Sequence, residues 1–142
     1  MWFLGMDVGT GGTRAVIVDG NGKLIAGASA EHAPFRTPHP GWAEQDPEDW
    51  WRAAQQALRG ALAAAPEPRQ PVAAIGLTGQ MHGAVLIDQA MKPVRQAILH
   101  NDARAHREAE ELARDHLGLA SIVGVKPMPG FTGPKLKWIA RH

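Results

Sequence analysis

The chain opens with two short apolar runs, Trp2 to Val8 (WFLGMDV) and Arg14 to Asp19 (RAVIVD), separated by the glycine-rich stretch Gly9 to Thr13. Runs of this length, biased to β-branched and large apolar residues, read as strands, and the glycines between them as a tight turn. Asp19-Gly20-Asn21-Gly22 is a second turn signal ahead of Lys23 to Ala30, which alternates weakly. Three consecutive antiparallel strands are therefore expected.

Pro34, Pro38 and Pro40 mark an irregular connection, after which Asp46-Pro47-Glu48-Asp49 combines an N-cap residue, a proline at the first helical position and two acids in the first turn. A helix is predicted from Pro47 to Ala64, ended by Pro66, Pro68 and Pro71. Val72 to Thr78 is apolar with a β-branched bias and reads as a central, largely buried strand. Ala84 to Asp88 and Val94 to Leu99 flank a polar turn and predict a hairpin. Ala103 to Leu117, with Leu112 and Ala113 on a helical period before Gly118, predicts a second helix. A short helix over Lys135 to Arg141 follows a segment rich in proline and glycine. The order βββαβ(β)α predicts an α/β domain with a mixed sheet, without internal repeats.

Composition narrows the function. The chain has 142 residues, 44% hydrophobic and 20% charged, enough for one domain with a real core. Its net charge of +1 supplies no field for nucleic acid or an anionic membrane, so any anion has to be gripped locally. With no cysteine, disulfides, zinc–thiolate sites, iron–sulfur clusters and thiol nucleophiles are excluded. The apolar start, Trp2 to Met6, is too short for a signal peptide or a membrane span, which makes the cytoplasm the expected location.

Two constellations carry candidate chemistry. In Asp7-Val8-Gly9-Thr10-Gly11-Gly12-Thr13-Arg14, glycines between two strands allow backbone N–H groups to converge on an anion, with the hydroxyls of Thr10 and Thr13 as further donors. Asp7 suits Mg²⁺ held through water beside nucleotide phosphates, and Arg14 suits a terminal phosphate. The strand–turn–strand setting excludes both a Walker A loop and a dinucleotide fingerprint; a hairpin tip without a ligand is the alternative. In Gly79-Gln80-Met81-His82-Gly83, polar side chains stand at the end of a strand, where ligands commonly bind. His82 is the obvious polar probe there, although a histidine beside methionine is also a common structural residue. Asn101 and Asp102 are further polar groups, and an N-cap for the following helix explains Asp102 without a ligand.

The string DVGTGGTR resembles the first phosphate loop of the superfamily that joins actin, the heat-shock ATPases and the sugar kinases, and within it the FGGY family of carbohydrate kinases. GQMHG resembles the xylulokinase form of the sugar loop, where glycerol kinases carry Arg-Glu, and Leu99 to Arg104 resembles the family's L-W-N-D-x-R segment with His100 in place of the indole. The resemblance implies a ribonuclease H-like (actin-like ATPase) domain, ATP and Mg²⁺ as cofactors, and transfer of phosphate to a ketopentose, D-xylulose first. It places Asp7 at the Mg²⁺–phosphate centre, Thr10, Gly11, Gly12, Thr13 and Arg14 around the transferred phosphate, and Gln80, Met81, His82, Asn101 and Asp102 on the sugar.

Gly41 to Pro47 with Trp50 and Trp51, and Met128 to Lys135, also resemble family segments; the tryptophans are expected to anchor the first helix, and the second segment is given no catalytic role. Family kinases are several times longer, and their aspartate base and adenosine pocket lie beyond the matching region. Residues 1–142 are accordingly expected to be a partial N-terminal kinase domain, cut short at its C-terminal end and without turnover of its own. Its expected partners are the sugar, ATP and the missing C-terminal domain or a homodimer partner. A non-catalytic sugar- or partner-binding module on the same fold is the alternative.

Overall fold

β1 (Trp2–Val8), β2 (Gly12–Asp19) and β3 (Leu24–Glu31) form the expected antiparallel meander in the computed structural model, which describes Met1–His142. The chain divides into two units, one made of Met1–Pro34 and Pro47–Gln80, the other of Phe35–Asp46 and Met81–His142.

In the first unit the meander is extended by β5 (Val72–Gly79), which pairs parallel to β1 and gives the sheet order β3-β2-β1-β5. The helix α1 (Pro47–Ala64) has the limits its proline and capping signals predict. It covers one sheet face, where Leu4, Ala15 and Ile17 are buried with its own stripe of Ala53, Ala57 and Ala61. Those alanines recur every four residues and so lie on one side of the helix. Small side chains let the helix approach closely: a Cβ on Gly60 would come within 2.8 Å of Ala28 Cβ. Asp49 fastens the first turn of α1 to the chain after β3 by accepting the Ala33 N–H at 2.7 Å and pairing with Arg52 at 2.6 Å. Arg52, with the Ala33 N–H, holds this carboxyl below the usual carboxylate range.

Two expectations fail in this unit. β5 is an edge strand, not a central one, and all eight of its residues are exposed, because α1 lies over β2 and β3 and nothing else in the unit covers β5. The tryptophans do not anchor α1 as a group: Trp51 is 63% exposed, and the helix is seated by its alanines instead.

The second unit is organised around a buried charge. β4 (Glu44–Gln45), which the sequence did not announce, pairs antiparallel with β6 (Ala97–Ile98). Arg104 lies beside it with its side chain fully buried, 2.8 Å from Asp102, 2.7 Å from Glu44 and 3.7 Å above the Trp42 ring. Trp42 thus packs on a guanidinium. The predicted hairpin is present in irregular form, as paired backbone bonds of Ala84 with Ile98 and bridges at Ile87 and Pro93. The second helix, α2 (His106–Asp115), is shorter than expected and begins after Ala105, without a side-chain cap. Asp102 therefore does not cap it; its carboxylate instead accepts the Ala43 N–H at 2.6 Å and the Arg104 N–H at 2.9 Å. A five-residue helix, α3 (Leu119–Val123), was not foreseen, and α4 (Thr132–Ile139) starts three residues before its predicted position. Lys137 and Arg141 fasten α4 to Glu111 of α2 at 3.0 and 2.6 Å.

Three outcomes follow from this packing. Ile17→Ala empties a fully buried site between α1 and the sheet and is expected to lower unfolding stability by about 2–5 kcal/mol in urea titration. Arg104→Ala leaves the buried Asp102 carboxylate without its paired cation and Glu44 with Arg95 alone at 3.5 Å, and a loss of about 3–5 kcal/mol is expected by the same measurement. Leu77, 74% exposed on β5, is a liability of an open edge. Leu77→Lys is expected to raise the solubility limit and to leave stability within about 0.5 kcal/mol of the parent.

Candidate functional site

Strand register in the first unit assembles a polar row. Asp7 on β1 stands opposite Arg14 on β2 and Thr78 on β5, and Arg14 stands opposite Ser29 on β3. Residues directly opposed in a sheet project to the same face. Thr13, Ala15 and Ile17 are buried on the α1 side, so the row lies on the face away from the helix. There Asp7, Arg14 and Thr78 line a shallow depression of about 340 Å³. A carboxylate, a guanidinium and a hydroxyl side by side make a surface that can receive both a phosphate and its counter-ion.

The tip between β1 and β2 is built for close approach. Gly9 donates its N–H to the Gly12 carbonyl at 3.0 Å, and His32 donates its own to Gly11 at 3.0 Å. A side chain at Gly12 would place its Cβ 2.7 Å from the Ala30 carbonyl oxygen, so only glycine fits there. Gln80, expected on the sugar, also braces this tip: its amide donates to the Gly9 carbonyl at 3.2 Å, and the Thr10 hydroxyl donates to its Oε1 at 3.3 Å. Thr13 is 1% exposed and its hydroxyl shares a 2.9 Å hydrogen bond with His32 Nε2. That hydroxyl is thus committed inside the fold, whereas Gly11 and Arg14 are exposed. Sequence reasoning missed His32, which sits at the far end of β3 and carries no local motif.

No group of three or more His, Asp or Glu side chains gathers into a metal cage. The lone exposed carboxylate of Asp7 fits Mg²⁺, which keeps several waters and is usually held by one or two carboxylates together with substrate phosphates.

In the second unit, Met81 and His82 line a concavity of about 350 Å³ with residues 100–103 and 128–131. His82 has φ of 57°, a left-handed conformation unusual for a residue with a side chain, and its ring stacks on Phe131 at 4.3 Å and 26°. The absence of a side chain at Gly130 lets that backbone close on the His100 carbonyl. The Met128 to Phe131 segment, given no role from sequence, is therefore a wall of this concavity; an aromatic residue in a glycine- and proline-rich loop was the available signal. Asn101 is exposed at the rim, and Asp102 touches the concavity while its carboxylate is occupied by Ala43 and Arg104. Beneath the loop lies Lys135, fully buried, its ammonium donating to the His82 carbonyl at 2.8 Å. Burial pushes this lysine down to about 8, against the attraction of Asp102.

Known proteins resemble both units throughout. Residues 2–142 match the model of the FGGY family of carbohydrate kinases, N-terminal domain. The xylulose kinase of Klebsiella pneumoniae is 41% identical over 99% of this chain, a match that spans 28% of that protein. Among solved structures, a kinase from Brucella ovis described as a xyloylose kinase superposes with a TM-score of 0.93 at 42% identity, covering all of this chain and 30% of that one. The xylulose kinase of Rhodospirillum rubrum gives 0.91 at 32% identity, again over the whole chain and 29% of the other. The chain thus spans a little over a quarter of the length of these relatives. With a family match across nearly every residue and an α/β fold shared with those structures, the chain belongs to the FGGY family of carbohydrate kinases, in the region of its N-terminal domain.

Proposed function

We propose that the chain provides the phosphate-facing and sugar-facing surfaces of an ATP-dependent kinase for a ketopentose, with D-xylulose as the substrate and D-xylulose 5-phosphate as the product. The observation that carries the reading is the concavity of the second unit, in which Met81, His82 and Asn101 offer an apolar patch and hydrogen-bonding groups together. Such a mixture suits a polyol, whose hydroxyls need donors and acceptors while its carbon face needs an apolar surface. The xylulose kinases among the similar proteins support the choice of sugar.

The part of each side chain follows from its chemistry. Arg14 neutralises a terminal phosphate, and the exposed backbone of Gly11 accepts its close approach. Asp7 would hold Mg²⁺ through water, and the ion, when bound with ATP, would supply positive charge against that of the transferred group. Met81 packs on the sugar while His82 and Asn101 bond its hydroxyls. A carboxylate to take the proton of the attacking hydroxyl is needed as well. Asp102 is unsuited to that role because its oxygens are held by Arg104 and Ala43. By this reading the chain binds its ligands without turning them over.

The exposed β5 edge favours one other reading, a binding module that meets a protein partner through that strand. Calorimetric titration with D-xylulose and with ATP–Mg²⁺ separates the two. The kinase reading expects xylulose to bind and the signal to fall about tenfold or more in His82→Asn, a substitution that tolerates the left-handed backbone. Absence of binding by either ligand would sink it. Formation of xylulose 5-phosphate by the purified chain would overturn the expectation of no turnover.

A further inference from the structure

Lysine is among the residues least often found fully buried, and its ammonium carries three donors that normally face water. Lys135, in the first turn of α4, has no exposed surface at all. Its water has been replaced by two backbone carbonyls, that of His82 at 2.8 Å and that of Ile98 at 3.4 Å. The two acceptors differ in kind. Ile98 belongs to β6, fixed by its pairing with β4 and by the reciprocal backbone bonds to Ala84. His82 belongs to the loop before Ala84 and sits in the left-handed region, which a residue with a side chain keeps only when its surroundings impose it.

We propose that Lys135 is a positioning residue for the sugar-contacting loop: its ammonium ties the His82 carbonyl to the fixed edge of β6 and so sets the direction in which the imidazole enters the concavity. Phe131, four residues earlier on the same segment, holds the ring by stacking. One short stretch of chain, Phe131 to Lys135, thus controls both the backbone and the ring of His82. The proposal rests on reading the second unit as a ketose site, and it assigns a task to a lysine that makes no contact with the sugar in that reading.

The ionisation of Lys135 gives the clamp a signature that packing alone lacks. The charged groups acting on it are Asp102, which favours the ammonium, and Arg104, which opposes it; the other titratable side chains on the concavity are His82 and His100. With its folded value lowered by burial to about 8, Lys135 loses its proton in the folded chain before it does so in the unfolded chain. Between that value and the ordinary lysine value near about 10.4, the unfolded state binds more protons, so this group makes stability rise with pH. Across the same window the charge-assisted bond to His82 weakens to a neutral one. Sugar binding is therefore expected to weaken while this group's contribution to stability rises, whereas a lysine that only supported the fold would leave sugar binding flat across the window.

The test is calorimetric titration of the chain with D-xylulose between about pH 7 and about pH 9.5, with urea unfolding at each pH and backbone resonances of His82 and Gly83 followed by nuclear magnetic resonance. A dissociation constant that rises about threefold or more while the unfolding midpoint holds or increases supports the clamp. Lys135→Gln, which cannot reach both carbonyls with a charge, is expected to bind about tenfold more weakly and to lose the pH step. If that variant does not fold, the pH series on the parent chain decides. A flat dissociation constant across the window, or unchanged binding in Lys135→Gln, overturns the proposal. If xylulose binds at no pH, the ketose reading fails. The clamp then stands if the His82 and Gly83 resonances shift through the window and falls if they do not.

Discussion

A guanidinium with no access to water governs the second unit. Burying Arg104 is tolerable only because Asp102 and Glu44 supply opposite charge and the Trp42 ring covers its face. These partners come from separate stretches of sequence, so satisfying one side chain forces the Gly41 to Gln45 segment against residues 97–104. Backbone bonds follow the charge: Asp102 takes the Ala43 N–H, Ala43 takes that of Leu99, and Gly41 takes that of Ala103. The loop bearing His100 and Asn101 leaves from this knot. Its path is consequently set by Asp102 and Arg104 rather than by the residue at position 100, and a histidine can stand there without disturbing the frame.

The first unit depends on small size rather than on charge. Alanines along α1 and on β2 and β3 bring the helix onto the sheet, and Gly60 meets Ala28 at a distance no larger residue would allow. Because the helix takes one face over the middle of the meander, the other face and the β5 edge keep their side chains in solvent. At the loop end of that open face the register delivers Asp7, Arg14 and Thr78 as a row. The same pairing that makes the sheet therefore makes the polar surface, with no residue spent solely on bringing them together.

What could be seen in the sequence was what depends on neighbours along the chain. The meander shows in its glycine turns, and α1 in its proline and acids, because turn chemistry and capping act over a few residues. Burial of β5 could not be inferred from its apolar run, since it depends on what lies on either side of the strand. The part played by Asp102 was hidden for a related reason: Ala43, whose N–H it accepts, is 59 positions away. His32 with Thr13, and Lys135 with His82, are likewise pairings set by the fold. Family motifs singled out two loops, but not which atoms in them are already bonded within the fold.

That last distinction separates supporting residues from those able to touch substrate. A polar group already satisfied within the fold has little to offer a ligand, since each new bond would cost an old one. Gln80 is occupied by Gly9 and Thr10, the Thr13 hydroxyl by His32, and Asp102 by Arg104 and Ala43. These three hold the loops in shape, as outer partners hold the direct ligands of a metal. Asp7 and Arg14 in one unit, and His82 and Asn101 in the other, are the side chains with chemistry left to give. Each of the latter pair is presented by a loop whose backbone is fixed from below by a buried charge, Lys135 under His82 and Asp102 beside Asn101. On the proposed reading of the second unit as a ketose site, this rigid support is what would hold the exposed polar side chains in a fixed geometry toward the sugar.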